Sequence, residues 1–108
     1  MKPNIIFVLV DSLRSDKCRG KNKTSITPNI DELIKNGIYF DHTISSAPST
    51  SVAMSSVFTG LYPFKTGMGT DRYHKLNPKI GSYIKILKEN GYHTYATTPE
   101  IASDFGLT

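Results

Sequence analysis

Residues 4–10 restrict the fold more than any other part of the chain, because the run Asn-Ile-Ile-Phe-Val-Leu-Val is apolar from its second position onwards. A strand with one wet face alternates apolar and polar residues, whereas a strand of a parallel sheet is covered by helices on both faces and is apolar throughout. The run therefore predicts a fully buried first strand. It is too short to span a bilayer.

Length and composition indicate one small ordered domain over residues 1–108, since 38% of the 108 residues are apolar and no low-complexity tract interrupts them. The start of the chain lacks the pattern of a signal peptide, so we expect a cytoplasmic protein with no membrane segment. The single cysteine, Cys18, excludes an internal disulfide and a cysteine-based zinc cage.

The net charge of +4 is concentrated between residues 14 and 23, where five basic residues accompany one acid, Asp16. The positive potential could attract anions. No nucleic-acid fold signature or aromatic platform accompanies it, so we interpret it as a solvated basic loop and expect no nucleic-acid partner. We expect Arg14 to be solvated or in a salt bridge. His42, His74 and His93 lack metal-ligand spacing, and we assign them no role.

The remaining segments alternate between helix and strand signals. Thr27, Pro28 and Gly37 are the N-cap, first residue and stop of one predicted helix, with Ile30, Leu33 and Ile34 as its buried face. The order is that of a layered α/β/α architecture with a mostly parallel sheet. The predicted helices are 27–37, 51–58 and 78–90, and the predicted strands are 4–10, 38–45 and 92–97.

Asp11 directly follows the first predicted strand. In open α/β sheets, ligands bind beyond the carboxyl ends of the strands, so this carboxylate is well placed for a metal ion or a substrate. An Asx-type turn that closes the strand explains the residue equally well. The residues alone leave both interpretations open.

Thr50 lies where a cluster of hydroxyl residues after Pro48 runs into a short helix predicted to end at Gly60. Ser49 or Thr50 could simply cap that helix. Alternatively, the Thr50 hydroxyl could be a nucleophile or metal ligand, since the N–H groups and dipole of a helix N-terminus favour anionic groups such as phosphate.

Six segments, taken in order, resemble the N-terminal part of the sulfatase family in the alkaline phosphatase superfamily. Together they span essentially the whole chain, and their order and spacing make the resemblance far more specific than any one of them. The segments are 2–14, 27–30, 37–40, 47–50, 58–63 and 87–94.

The resemblance implies an alkaline-phosphatase-like α/β fold and a reaction at a sulfur or phosphorus ester. Asp11 matches the family's metal-binding Asp after the first strand, and Thr50, counted back from Thr59-Gly60, matches the nucleophile. The resemblance thus implies Asp11 and Thr50 as ligands of a divalent metal ion (Zn, Mn, Ca or Mg) and Thr50 as the catalytic residue. A small phosphate or sulfate ester would be the substrate.

Three departures from the family pattern affect the predicted substrate. Sulfatases oxidise a Cys or Ser to formylglycine and follow it with x-Pro-x-Arg, whereas residues 50–54 read Thr-Ser-Val-Ala-Met. Ser12 replaces a second Asp, and residues 98–101 lack the family's lysine and histidine. An unmodified Thr50 resembles the branch that acts on phosphate or phosphonate mono- or diesters, so we predict that chemistry, with an atypical sulfatase as the alternative.

Asp11 and Thr50 are too few ligands for a two-metal site. In the resembled family the other ligands lie farther downstream, so we expect an incomplete N-terminal segment that is inactive by itself. A truncated non-catalytic module is a further alternative. A truncated sheet would expose an edge and apolar faces, which predicts self-association.

Overall fold

The computed structural model describes residues 2–69 and 75–98, and these residues contain five helices and no strand. The chain divides into two compact units, Met1–Thr43 and Ile44–Thr108. The first unit holds α1 and α2, and the second holds α3, α4 and α5. Their bounds are α1 Ser15–Cys18, α2 Pro28–Asn36, α3 Thr50–Thr59, α4 Pro63–Thr66 and α5 Tyr83–Glu89.

The three predicted strands are wrong for this structure, because residues 4–10, 38–45 and 92–97 are irregular. Ile6 and Val8, predicted to be buried on both faces of a sheet, are 86% and 75% exposed. A strand persists only where a neighbouring strand accepts its backbone hydrogen bonds. Within the described residues none of the three segments finds such a neighbour, so the layered α/β/α sheet is not formed.

Helix α2 begins and ends as the sequence predicts. Thr27 is its N-cap residue, Pro28 lies in its first turn, and the Gly37 N–H donates to the Leu33 carbonyl oxygen at 2.9 Å. The predicted apolar face is only partly covered, since Leu33 is 73% exposed while Ile30 and Ile34 are half-buried.

Two side-chain contacts tie the basic loop to the rest of the first unit. The Lys23 ammonium donates to both carboxylate oxygens of Asp31 in α2, with 2.6 Å between Nζ and Oδ2. The Arg19 guanidinium lies 4.4 Å from the centre of the Tyr39 ring, in cation–π contact. The loop is therefore solvated but anchored.

The buried side chains of the second unit lie in and around α3 and α4. Val52, Phe58 and Met68 are nearly inaccessible to water, and the hydroxyl side chains of Ser55 and Thr66 are completely buried. Helix α3 packs against both α4 and α5. The Phe58 and Tyr83 rings join α3 to α5, with 5.6 Å between ring centres.

Helix α5 starts later than predicted, at Tyr83 rather than Pro78. The Asn77 side chain accepts a hydrogen bond from the Lys79 N–H at 3.0 Å, and its carbonyl accepts one from the Ile80 N–H, so Pro78 lies in a tight turn. Ser82 caps the helix instead, because its hydroxyl oxygen accepts the Lys85 N–H at 3.3 Å.

Candidate functional site

Thr50 is the first residue of α3, and Ser49 occupies the N-cap position with an extended backbone. The cap position thus belongs to Ser49, one of the two residues predicted for it, and the nucleophilic or metal-binding role of Thr50 stays a prediction. Among the described side-chain contacts, Ser49 makes no capping hydrogen bond. Thr50 is exposed, and the first turn of α3 holds no acid that would offset the positive end of the helix dipole.

The opposite end of α3 is held by three hydrogen bonds and a left-handed glycine. Gly60 has φ +69°, and its N–H donates to the Ser56 carbonyl oxygen at 2.8 Å. The Thr59 hydroxyl donates to the Ser55 carbonyl oxygen at 2.6 Å and accepts the Leu61 N–H at 3.2 Å. The predicted stop at Gly60 is confirmed.

A buried pair of hydroxyls joins α3 to α4. The Ser55 and Thr66 oxygens lie 3.2 Å apart, and each hydroxyl can also donate to a carbonyl, of Val52 at 2.7 Å and of Pro63 at 2.9 Å. The Thr66 oxygen accepts the Met68 N–H at 3.3 Å as well. Because both buried hydroxyls have partners, they fix the two helices without leaving a polar group unsatisfied.

Asp11 lies in the first unit, at an exposed turn formed with Ser12. Ser12 has φ +59°, in the left-handed region that few residues other than glycine adopt. The turn agrees with the interpretation of Asp11 as a turn residue, although the strand that it was expected to close is not formed. Since Thr50 belongs to the second unit, the shared metal ion stays a prediction.

The fit of a divalent metal ion can be judged from the donor atoms alone. Asp11 and Thr50 offer oxygen atoms, which hard cations prefer, but such ions take about six or more ligands. No group of three or more His, Cys, Asp or Glu residues in the described parts of the chain could hold a metal ion. Asp11 and Thr50 by themselves are therefore too few ligands to hold such an ion.

Arg14 forms the salt bridge expected for it. Its guanidinium donates to both carboxylate oxygens of Asp16, each at 2.9 Å. The hydrogen bond from Arg14 lowers the pKa of Asp16 below its usual value, and the same contact raises the pKa of Arg14. Arg14 is thus engaged with Asp16.

Two of the histidines lie among the described residues. The His42 ring nitrogen Nδ1 lies 2.7 Å from the Asp41 carboxylate, and both side chains are exposed. His93 is also exposed. His74 and positions 99–101 of the predicted departures lie outside the described residues.

The sequence interpretation missed α4 and the hydroxyl pair that attaches it to α3. Residues 63–66 belong to none of the predicted helices and strands, yet Pro63 and Gly67 carry the signals of a helix start and stop. Those signals could have located α4 despite its length of four residues. The partner of Ser55 could not be found in this way, because nothing in the local pattern pairs it with Thr66.

The profile of the sulfatase family matches residues 3–103 of this chain. The chain belongs to the sulfatase family. This membership confirms the resemblance found in the six segments, and it implies the alkaline-phosphatase-like α/β fold, of which the described residues form helices but no sheet.

Several curated members of the sulfatase family are similar to this chain. Arylsulfatase D of Homo sapiens is 31% identical over 105 residues, covering 86% of this chain and 18% of the relative. An ulvan-active sulfatase of Formosa agariphila is 40% identical over 93 residues, covering 84% and 18%. The N-acetylglucosamine-6-O-sulfatase of Bacteroides thetaiotaomicron is 30% identical over 95 residues, covering 86% and 17%.

These relatives bear on the predicted substrate. Their names are those of sulfatases, which favours the sulfate-ester alternative over the phosphate-ester prediction. The chain spans about a fifth of the length of these relatives, 17–18%. No solved structure matches the chain.

None of the helices in residues 2–69 and 75–98 has both the length and the apolar character that a bilayer crossing requires.

Proposed function

We propose that the intact protein is a hydrolase of sulfate esters in which Thr50 lies at the reacting centre. The observation that carries the proposal is the family match over residues 3–103, together with the sulfatase names of its relatives. The family is typically dependent on a divalent metal ion, and Asp11 is our candidate for one of its ligands. The expected substrate is a small molecule that carries a sulfate group.

The position of Thr50 supports this role because the first N–H groups of a helix have no acceptor within the helix and favour negative charge. In the proposed reaction the Thr50 oxygen forms a bond to sulfur as the bond to the alcohol oxygen breaks. The alcohol leaves with a proton, and water later releases sulfate and restores the hydroxyl. Helix N–H groups would offset charge that develops on the transferred group.

Phosphate esters are a second candidate, because residues 50–54 depart from the sulfatase pattern. Thr50 carries a methyl group on Cβ, so oxidation there would give a ketone rather than the aldehyde of formylglycine. Val52 and Met54 stand in place of the proline and arginine that follow the modified residue. The unmodified hydroxyl of a threonine can act as the nucleophile towards phosphorus.

Substrates that share the same leaving group, 4-nitrophenolate, separate the two candidates. The intact protein would be assayed with 4-nitrophenyl sulfate, 4-nitrophenyl phosphate and bis(4-nitrophenyl) phosphate, with divalent metal ions added in turn. We expect the highest kcat/KM with the sulfate ester. Faster turnover of either phosphate ester would replace the first candidate with the second.

The role of Thr50 is tested by Thr50→Val, which removes the hydroxyl but keeps the shape of the side chain. Loss of a nucleophile should lower kcat by about 10³-fold or more. Ser51→Ala is the matched control, since it removes a neighbouring hydroxyl from the same helix turn. Equal turnover by wild type and Thr50→Val would reject Thr50 as the nucleophile for either class of ester.

A further inference from the structure

The Ser55 side chain, hydrogen-bonded to Thr66, lies at the middle of the buried face of α3. That face consists of Val52, Ser55 and Phe58, which follow one another at intervals of three residues and are 2%, 0% and 8% exposed. On an ideal helix such a set covers about 120° of the circumference, with Ser55 in the centre. The contact with Thr66 therefore acts on the middle of the buried face.

Thr50 lies on the other side of the same helix. It precedes Ser55 by five residues, which correspond to about 7.5 Å along the helix axis and about 140° around it. In agreement with this geometry, Thr50 is exposed whereas Ser55 is completely buried. The rotation of α3 that brings Ser55 to Thr66 thus directs Thr50 away from the contact with α4.

The two buried hydroxyls fix this rotation more closely than apolar packing can. Burial of Val52 and Phe58 favours a covered face, but the hydrophobic effect is not directional. A hydrogen bond weakens when its distance or its angle changes. The Ser55 and Thr66 oxygens lie 3.2 Å apart, and both side chains are completely removed from water. A rotation that separated them would leave each buried hydroxyl with one partner fewer.

The first turn of α3 has a weaker polar restraint. Ser49 is its N-cap residue, and among the described side-chain contacts it makes no capping hydrogen bond. The Ser49 oxygen lies 3.5 Å from the oxygen of Ser51, longer than an ordinary hydrogen bond between hydroxyls. The direction of Thr50 thus depends on contacts farther along α3, of which the Ser55–Thr66 pair is a directional one.

We infer that Ser55 and Thr66 are positioning residues for Thr50, because their contact holds α3 in the rotation that presents the Thr50 oxygen to the ester. The attacking oxygen must be aligned with the bond that breaks, so a small error in its direction slows the chemical step. The inference rests on the proposed function, since the direction of Thr50 affects turnover only if its oxygen attacks. Both hydroxyls are completely buried, so they would act through the helix and not on the substrate.

A pair that only adds stability is the competing interpretation. Loss of stability lowers the fraction of enzyme that is folded. Loss of alignment instead lowers the kcat of the folded enzyme and leaves KM unchanged, because it weakens an interaction of the transition state alone. The two interpretations therefore predict different kinetics for the same variants.

Steady-state kinetics of the intact protein would test the inference, with the 4-nitrophenyl ester that it turns over fastest and at equal concentrations of folded enzyme. Thr66→Val keeps the shape of the side chain but removes the hydroxyl. It should lower kcat about tenfold or more and change KM less than about twofold. Thr66→Ser keeps the hydroxyl and should retain most of the kcat. Adding Ser55→Ala to Thr66→Val should lower kcat little further, because either change breaks the same contact.

Two control variants separate alignment from general effects. Ser56→Ala removes the next hydroxyl of α3, which lies 3.5 Å from the Val52 carbonyl oxygen, and it should leave kcat unchanged. Ser82→Ala removes the cap of α5 and so destabilises the chain elsewhere. It should also leave the kcat of the folded enzyme unchanged.

Methyl NMR follows the surroundings of Thr50 without the need for turnover. In the intact protein with labelled threonine methyl groups, the Thr50 signal should shift in Thr66→Val and stay near its wild-type position in Thr66→Ser and Ser56→Ala. Because Thr50 and Ser55 lie about 140° apart around the axis, such a shift would be transmitted by α3.

Two outcomes would overturn the inference. One is a kcat for Thr66→Val that is no lower than that for Ser82→Ala. The other is an unchanged Thr50 methyl signal in Thr66→Val. Failure of the proposed function would look different, because Thr50→Val would retain turnover or none of the three esters would be hydrolysed. The methyl signal would still decide whether the pair sets the direction of Thr50.

Discussion

Segment 4–10 is the most apolar part of the chain, while α3 is rich in hydroxyl residues. The apolar segment is nevertheless exposed, and α3 carries buried side chains. Ile6 is 86% exposed, and Ser55 is completely buried. Ser55 finds a hydrogen-bond partner 11 residues away in α4, and the backbone of a helix pairs with itself. A strand depends on a partner strand, so hydropathy alone does not bury it.

The comparison teaches that nearby partners decide which segments of this chain form regular structure. The regular elements of the described residues are helices, and the two completely buried side chains, Ser55 and Thr66, belong to α3 and α4, which are neighbours in sequence. Contacts between residues close in sequence cost less loop-closure entropy. The apolar segment has the stronger hydrophobic drive but meets no covering surface among residues 2–69 and 75–98.

The largest expected difference in stability is between two variants that each replace one large apolar residue by alanine, one in α3 and one in segment 4–10. Phe58→Ala should destabilise the chain by about 3–5 kcal/mol, because it empties a buried site in contact with Tyr83. Ile6→Ala should cost less than about 0.5 kcal/mol, because the side chain is already in water. Urea denaturation monitored by circular dichroism would measure both. A larger loss for Ile6→Ala than for Phe58→Ala would break the comparison.

The buried hydroxyl pair is expected to be next in size. Ser55→Ala leaves the Thr66 hydroxyl with one partner fewer, which should cost about 1–3 kcal/mol. Thr66→Val should lower the stability by a similar amount. It removes the contact with Ser55 and the hydrogen bond to the Pro63 carbonyl oxygen. A double-mutant cycle should give a coupling of about 1 kcal/mol. Strict additivity would mean that the two hydroxyls do not interact with each other across the joint between α3 and α4.

The end of α3 sharpens the comparison at a single backbone position. Gly60→Ala should cost about 1 kcal/mol, because alanine disfavours the left-handed conformation even though no atom lies within 4 Å of the new methyl group. Gly81→Ala is the matched control, as its added carbon also meets open space and its φ is not in that region. Equal stability of the two variants in urea would argue against strain at Gly60.

The smallest effect concerns an exposed ion pair in the first unit. The hydrogen bond from Arg14 lowers the pKa of Asp16 below 3.8, so the contact favours the folded chain at pH values above that. The contribution is lost as the pH falls through the lowered pKa. Carboxyl carbon NMR should show a higher pKa for Asp16 in Arg14→Gln and little change in Lys21→Gln. An unchanged Asp16 pKa in Arg14→Gln would contradict the contact.

Local signals in the sequence predicted the helices better than the sheet. Thr27, Pro28, Gly37 and Gly60 act within one helix turn, and the structure confirms the helix ends that they mark. The predicted start of α5 at Pro78 is wrong because Asn77 forms a turn around Pro78. The strands failed because their formation depends on partners that residues 4–10 do not specify.

The candidate site was predictable only in part. The family resemblance located Thr50 by counting back from Thr59-Gly60, and the structure places that residue at the head of α3. The Ser55–Thr66 pair depends on how α3 and α4 meet. Because no local pattern in the sequence specifies that contact, the sequence could not reveal the pair.

Helix α3 is fixed at its end by Gly60 and by the contact of Ser55 with Thr66. The number of residues in the helix therefore sets the position and direction of its first residue. Each residue added to a helix rotates its beginning by about 100° and advances it by about 1.5 Å. With the far end fixed, inserting one residue within α3 would turn position 50 to another side of the helix. The side chain at position 50 therefore keeps its direction only while the residue count of α3 is preserved.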